Sequence, residues 1–421
     1  MRVRHDGAKA PRRPGVWEGH VVGRDAVPGA VVVGAGSAGL AAAAQLRGAG
    51  FDVTVLEQGA QPGHRWLNRY DSLRLNTVRA FSGLPGLPIP RSSGTWPRAV
   101  EFAEYLSRYA EHHGLRVRTG HTVVCVERGD ARTGARWSVV VDGPVGEPLP
   151  ADVVVVATGW AASPFTPDWP GIASYPRPLV HADAYRRPDS FAGQRVLVVG
   201  SGNSGSEIAV ELLDTAAEVT ISVRTPPLLI PSGRLGAALQ YAGSVSWWLP
   251  ESMKDSATLR THRSHYADLA AHGLAPPGEG AFSRFRDSYA APTAERGFAE
   301  ALRNGRLRVV AAVEGFAGER VLLADGTTVT PDIVVVATGY RPAFVDLVGG
   351  LGVLDPSGRP LAWAAPLPGA EGLFLTGEPS LRGDLLAHGI GARRIRRALR
   401  GRSVRPTTND VSIATPRGEG R

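Results

Sequence analysis

The sequence predicts an α/β fold of two Rossmann-like dinucleotide-binding domains, one inserted into the other, and three observations carry that expectation. Two Gly-x-Gly-x-x-Gly turns are present, Gly34-Ala35-Gly36-Ser37-Ala38-Gly39 and Gly200-Ser201-Gly202-Asn203-Ser204-Gly205. Each leaves an apolar β-branched run and enters a stretch of helix formers. In that context the glycines give a tight turn, close approach of backbone to a pyrophosphate and close helix–sheet packing, while the helix N-terminus offers free N–H groups to phosphates. The third observation is a repeat. Asp152–Gly159 and Asp332–Gly339 are both apolar runs closing on Ala-Thr-Gly, as strands buried on both faces require.

In chain order, residues 1–27 are rich in Arg, Gly and Pro without periodicity and are expected to form a flexible basic arm. Ala30–Val33 is the first strand, Leu40–Arg47 a small-residue helix stopped by Gly48 and Gly50, and Phe51–Glu57 the next strand. Glu57 stands about 20 residues beyond the turn, where a carboxylate takes ribose hydroxyls. Gln61–Pro97 is a long irregular insertion, a usual mark of function. Phe102, Leu106 and Tyr109 fall on one face of a helix over Val100–His113. Leu115–Glu127 and Arg136–Asp142 are expected strands. Pro-rich Ser163–Pro188 leads to the second turn, whose matching strand, Glu218–Val223, ends at Arg224. An arginine there accommodates a 2′-phosphate, so the first site suits FAD and the second NADPH.

Beyond that point the pattern thins. Leu235–Leu249, with Trp247 and Trp248, is expected to be a buried amphipathic helix in preference to an access wall or a membrane-surface contact, and His262 and His265 surface or capping residues without a metal role. Leu307–Val313, Val321–Leu323 and Thr327–Val329 are short strands, with Asp325-Gly326 as a hairpin turn. Gly372–Gly377 is a late strand, and Arg393, Arg394, Arg396, Arg397 and Arg400 decorate a solvated last helix. The implied domains are 28–165 (FAD, first part), 166–330 (NADPH) and 331–402 (FAD, second part), with 403–421 a disordered tail.

Composition narrows the class. The net charge of +8 rests on scattered arginines, with Lys9 and Lys254 the only lysines, and no aromatic-interleaved basic platform supports nucleic-acid binding. Cys125 is the single cysteine, which excludes an internal disulfide, dithiol exchange and a thiolate metal cage. No apolar h-region follows the basic N-terminus, and no run reaches the ~18–20 residues of a membrane span, so a cytoplasmic protein is expected.

These residues resemble the class B flavin-dependent monooxygenases, a family that includes flavin-containing monooxygenases and plant indole-pyruvate monooxygenases, over roughly Pro28 to Arg400. The resemblance rests on both glycine turns in order, the Pro62-Gly63…Trp66 element, Val223-Arg224, and the paired linkers Ala157-Thr158-Gly159 and Ala337-Thr338-Gly339-Tyr340. The family fingerprint, FxGxxxH with an aromatic residue four positions on, is matched at His181 and Tyr185. It departs at Tyr175, in place of Phe, and Arg177, in place of Gly. Tyr185 stands where type I Baeyer–Villiger enzymes carry Trp, which disfavours that subclass. The resemblance implies Asn76 as the active-site asparagine beside the flavin, and Gln58, Arg65, Trp66, Val124 and Leu385 as further cofactor contacts. Asn203 is either a nicotinamide-side contact or a turn residue.

The implied reaction is NADPH- and O2-dependent insertion of one oxygen atom into a small amine, sulfide or activated carbonyl through a C4a-(hydro)peroxyflavin. The Arg177 departure motivates an alternative, an NADPH:acceptor reductase without oxygen transfer. A non-enzymatic alternative is a redox sensor that binds partners through its basic tail. A homodimer is the assembly considered, and the substrate carries no legible code.

Overall fold

The computed structural model describes residues 29–130, 134–142 and 148–400. The arm and tail expected at 1–27 and 403–421 lie outside them. The elements that position the site are β1 (Gly29–Val33), α1 (Ser37–Arg47), β2 (Asp52–Leu56), α2 (Ala99–His112), β3 (Arg116–Arg118) and β4 (Val153–Val156). They continue with β5 (Leu179–His181), β6 (Arg195–Val199), α3 (Asn203–Leu212), β7 (Glu218–Ser222), α4 (Gly233–Val245), β8 (Leu307–Val310), β9 (Ile333–Val336), β10 (Leu373–Leu375) and α5 (Asp384–Leu399).

Two five-stranded, all-parallel sheets result, ordered β10-β4-β1-β2-β3 and β8-β7-β6-β9-β5. The second lies wholly between β4 and β10 of the first in sequence, so one unit is inserted in the other. The units share a plan. Ala30–Val33 pairs with Val153–Val156, and Val196–Val199 pairs with Ile333–Val336, each time the turn strand beside the Ala-Thr-Gly strand. Each unit also carries a three-stranded antiparallel meander before its Ala-Thr-Gly strand, Thr122–Arg128/Trp137–Asp142/Leu149–Ala151 in the first and Val313–Ala317/Arg320–Leu323/Thr328–Val329 in the second.

The β-branched runs are buried on both faces. Val32, Val53, Val55, Val153 and Val155 pack with α1 and with Phe102, Tyr105, Leu106 and Tyr109 of α2. Val31, Val33, Val154 and Val156 face Trp137, Phe344 and Val353 on the other side. Each such large side chain contributes on the order of 1.5–3 kcal/mol when fully buried. Ala41, Ala42 and Ala43 are fully buried, and their small size lets α1 lie close against α5 and the sheet.

Four sequence expectations are corrected. The return to the first unit lies later than residue 331, because β9 hydrogen-bonds to β6 and completes the second sheet. The crossings are Ser163–Pro164 and Tyr340–Arg341, which pair antiparallel with each other. The strand expected over Leu115–Glu127 breaks at Gly120, whose φ of +69° is left-handed, so β3 joins the sheet and Thr122–Arg128 the meander. Of α4 only Gly236 is buried, and Trp247 and Trp248 are 55% and 70% exposed. That helix rests on the insertion through Gln240 and the Tyr241–Phe81 ring contact instead of through an apolar stripe. His262 is buried, its Nδ1 accepting the Leu229 N–H at 3.2 Å, so it is a core strut and not a surface group.

Candidate active site

The two glycine turns have matching geometry. Gly34 and Gly200 have φ of +102° and +109°, and a Cβ there would meet the carbonyl oxygens of Ala157 and Ala337 at 2.8 and 2.6 Å. Gly39 and Gly205 press on the carbonyls of Gly34 and Gly200, leaving no room for a side chain. Gly36 and Gly202, the residues before α1 and α3, differ: a Cβ on either meets nothing within 4 Å. Space is thus kept open where the first helical N–H groups point, which is the cradle a pyrophosphate needs. Thr158 adds a buried hydroxyl with no hydrogen-bond partner among the described residues. These features fit a dinucleotide at each turn.

The strand ends beyond the turns are unlike. Glu57 accepts the Ala35 and Gly59 N–H groups, both at 2.8 Å, which fixes its carboxylate at the first turn. Arg224 is exposed and has no ion pair or hydrogen bond among the described residues. Val124, 44% exposed, sits at the irregularity between Val123 and Cys125 in the meander, and neighbouring His121 donates to the Glu57 carbonyl at 2.9 Å. Exposed Gln58 lies on the same rim. Trp66 packs edge-on against Phe102, Ala35 is buried just before α1 and Ala38 in its first turn, and Leu385 is buried in the first turn of α5.

Ser37 and α5 form a polar cluster that the sequence did not signal. The Ser37 hydroxyl lies 2.9 Å from His388 Nδ1. Burial pushes the imidazole down to about 4, so it is neutral near pH 7. Desolvation by the surrounding protein pushes the Asp384 carboxyl up to about 6, and it accepts the Ser380 N–H at 2.6 Å.

The fingerprint residues sit at the crossing between the units. His181 Nδ1 accepts the Asp183 N–H at 3.0 Å, so its Nε2 donates to Gly339 O at 3.1 Å. Burial lowers its pKa, in keeping with a neutral ring that ties β5 to the linker. Thr338 donates to the Phe165 carbonyl, joining the two crossings. Tyr340 donates to Asp183 at 3.1 Å, and Arg65 and Arg69 lie over its ring and pair with Asp183 at 3.3 and 3.0 Å. Tyr185 is buried, and burial raises its hydroxyl pKa. Tyr175 packs on Phe316, and Arg177 pairs with Glu319 at 2.9 Å on the second meander, away from both turns in sequence and contact.

Asn76 is exposed, and the second unit holds its loop. Gln240 Nε2 donates to Asn76 O at 2.6 Å, and Val78 N donates to Gln240 Oε1 at 2.9 Å. Arg296 donates to Asn76 Oδ1 at 3.0 Å. Asn203 donates to Pro292 O at 3.2 Å and accepts the Ala294 N–H at 2.9 Å, so its amide serves the turn. Gln240 and Arg296 come from the stretch where the sequence was least periodic. Ser201 is buried and Ser204 half-buried in the same turn. Among the described residues no group of three or more His, Cys, Asp or Glu side chains is placed to hold a metal ion.

A family model described as pyridine nucleotide-disulphide oxidoreductase matches residues 31–239. The lone Cys125 cannot supply the dithiol that part of that description names. Indole-3-pyruvate monooxygenase YUCCA1 of Oryza sativa subsp. japonica is 34% identical over 359 residues, covering 83% of this chain and 86% of the relative. Probable indole-3-pyruvate monooxygenase YUCCA7 of Arabidopsis thaliana is 30% identical, covering 83% of each. Among solved structures, a flavin-containing monooxygenase from Stenotrophomonas maltophilia shares the fold at TM-score 0.65 and 24% identity, covering 88% of this chain and 98% of that one. Cyclohexanone monooxygenase in an open crystal form does so at 0.66 and 20%, covering 89% and 88%.

Proposed function

Because the chain belongs to the class B flavin-dependent monooxygenases, oxidoreductases that use a flavin and a nicotinamide nucleotide to place one oxygen atom in a small substrate, we propose that its flavin is FAD, at Gly34–Gly39, and its reductant NADPH, at Gly200–Gly205. The unlike strand ends on two matching turns carry this reading. Glu57 is fixed to take ribose hydroxyls and would repel a 2′-phosphate, whereas Arg224, one residue beyond the corresponding place, is a free guanidinium. When bound, the flavin supplies hydride acceptance and oxygen activation. The chain supplies the rest: the turns bind the pyrophosphates, Thr158 offers its spare hydroxyl, and Asn76 presents an amide to the reacting oxygen.

The relatives named for indole-3-pyruvate favour a 2-oxo acid with an aromatic side chain as the first substrate to try, ahead of amines and sulfides. Among the described residues no helix is long and apolar enough to cross a membrane, and the cytoplasm is the proposed location. A homodimer is the assembly to test by light scattering.

The deciding experiment follows NADPH and NADH oxidation by the FAD-loaded protein over a panel of 2-oxo acids, ketones, sulfides and amines under ¹⁸O2, with hydrogen peroxide measured in parallel. Preference for NADPH and ¹⁸O in the product support the proposal. NADPH oxidation that never labels a product favours the reductase.

A further inference from the structure

Asn76 and the second glycine turn belong to different units, yet one arginine joins them. Arg296 Nη2 donates to Asn76 Oδ1 at 3.0 Å and to Leu75 O at 3.1 Å. Its Nη1 pairs with Glu207 Oε1 at 3.3 Å, and Glu207 Oε2 accepts the Tyr70 hydroxyl at 2.7 Å. Glu207 stands on α3, and its side chain is 8% exposed. The segment that launches Arg296 is itself pinned by Asn203, the first residue of α3, through Pro292 O and Ala294 N. The guanidinium is therefore held from behind by the turn that the second nucleotide occupies.

This arrangement fixes which end of the Asn76 amide faces which way. A guanidinium has donors only, so an Asn76 with its NH2 toward Arg296 would set donor against donor. Oδ1 must face Arg296, and both Nδ2 hydrogens are left without an acceptor among the described residues. An amide held this way is a hydrogen-bond donor at a set position, and preorganised donors of this kind steady charge that develops on oxygen.

We propose that Arg296 is the positioning residue of the oxygenation site: reaching across from the second unit, it turns the Asn76 amide donor-first toward the reacting oxygen, and Glu207 holds it there. The proposal rests on the reading of Asn76 as the residue beside that oxygen. Its consequence is that the two units must stay closed for reducing equivalents to end in product, because the donor is aimed only while Arg296 and the loop at Asn76 remain in contact.

The test measures, in the FAD-loaded protein, the share of NADPH electrons recovered as hydrogen peroxide for Asn76→Ala, Arg296→Gln, Arg296→Lys and the double variants. The melting temperature of each flavin-free chain is taken alongside. Arg296→Gln is expected to raise the peroxide share at least fivefold, with the KM for NADPH changed less than twofold. Arg296→Lys, which keeps the charge opposite Glu207 but not the fork, should recover only part. Asn76→Ala/Arg296→Gln should be no worse than Asn76→Ala alone, since both act through one amide.

If Asn76→Ala leaves the peroxide share at the parent value, the reading of Asn76 falls. If Asn76→Ala raises it while the arginine variants do not, or if the double variants are additive, that reading stands and the positioning role is overturned. Should Arg296→Gln fail to fold, Arg296→Lys with and without Asn76→Ala decides between the same outcomes. A lower melting temperature with an unchanged peroxide share marks Arg296 as a structural strut and also overturns the proposal.

Discussion

Gly36→Ala and Gly202→Ala separate folding from nucleotide binding at each turn. Both positions have ordinary backbone, φ −79° and −71°, and an added Cβ touches no protein atom within 4 Å. In the nucleotide-free chain the loss of unfolded-state freedom gains about 0.4–1 kcal/mol. Alanine is the poorer residue before a helix, which offsets much of that gain. The net change should lie within about 1 kcal/mol, a shift of a few degrees at most. On the proposed assignment of nucleotides to turns, the methyl would stand where the pyrophosphate approaches the backbone. Losing one charge-assisted hydrogen bond costs about 1.5–3 kcal/mol, or on the order of 10–100-fold in affinity. Gly36→Ala should emerge with little FAD, read as the flavin-to-protein absorbance ratio. Gly202→Ala should keep its FAD and show a KM for NADPH raised by about tenfold or more. Gly39→Ala is the contrast, because its Cβ would press on the Gly34 carbonyl and lower the melting temperature outright. If Gly202→Ala loses FAD while Gly36→Ala raises only the KM for NADPH, the assignment of nucleotides to turns is reversed. If neither variant changes binding, the open cradle is not a phosphate site.

Arg224→Ala should raise the KM for NADPH about tenfold, the worth of one charged phosphate contact, and leave that for NADH unchanged, as steady-state kinetics with both cofactors will show. His388 has a depressed folded pKa of about 4 against 6.5, so it contributes stability that is present above pH 6.5 and lost as the pH falls through 4. At most about 3 kcal/mol is at stake, less for a side chain that solvent partly reaches; His388→Gln should flatten this loss in denaturant titrations of the flavin-free chain from pH 7 to 4. Tyr105→Phe removes a hydroxyl that accepts the Leu84 N–H at 2.6 Å and donates to Leu87 O at 2.7 Å. Leaving those buried groups unpaired should cost about 1–3 kcal/mol by chemical denaturation. Arg177→Gly, which restores the fingerprint residue, removes an exposed ion pair worth about 0–1 kcal/mol and should leave the peroxide share within about twofold of the parent.

What the sequence made legible is what the backbone forces. Gly34, Gly39, Gly200 and Gly205 could be identified because their positions admit no Cβ, so the chain has no other residue to use. The valine runs could be identified because a parallel strand buried on both faces tolerates nothing else. The misplaced return at 331 has the same origin. Asp332–Gly339 does resemble Asp152–Gly159, but it does so because each unit needs its own such strand beside its own turn. The repeat marks duplication of a unit, and re-entry into the first follows directly on its second copy, at Tyr340–Arg341. The expected burial of Leu235–Leu249 failed for a different reason. Apolar content alone does not make a buried stripe, and this helix meets the insertion through Gln240 and the Tyr241–Phe81 ring contact.

The residues that complete the site were illegible for a reason that is itself physical. Arg296 acts on Asn76 across 220 positions, and Gln240 does so across 164. Neither belongs to a turn or a periodic face, so no local rule selects them; only the closing of one unit on the other brings them to the loop at Asn76. The same holds at the crossing, where Arg69, Asp183 and Tyr340 come from three separate segments and meet over one carboxylate. A duplicated fold of this kind therefore writes its nucleotide turns into short motifs, because each turn is assembled within one unit. It leaves the contacts between the units to long-range side chains, which no short motif records. The Arg177 departure falls on neither class. It lies on the outer meander against Glu319, where a change of residue alters a surface pair and leaves the contacts among Asn76, Arg296 and Glu207 intact.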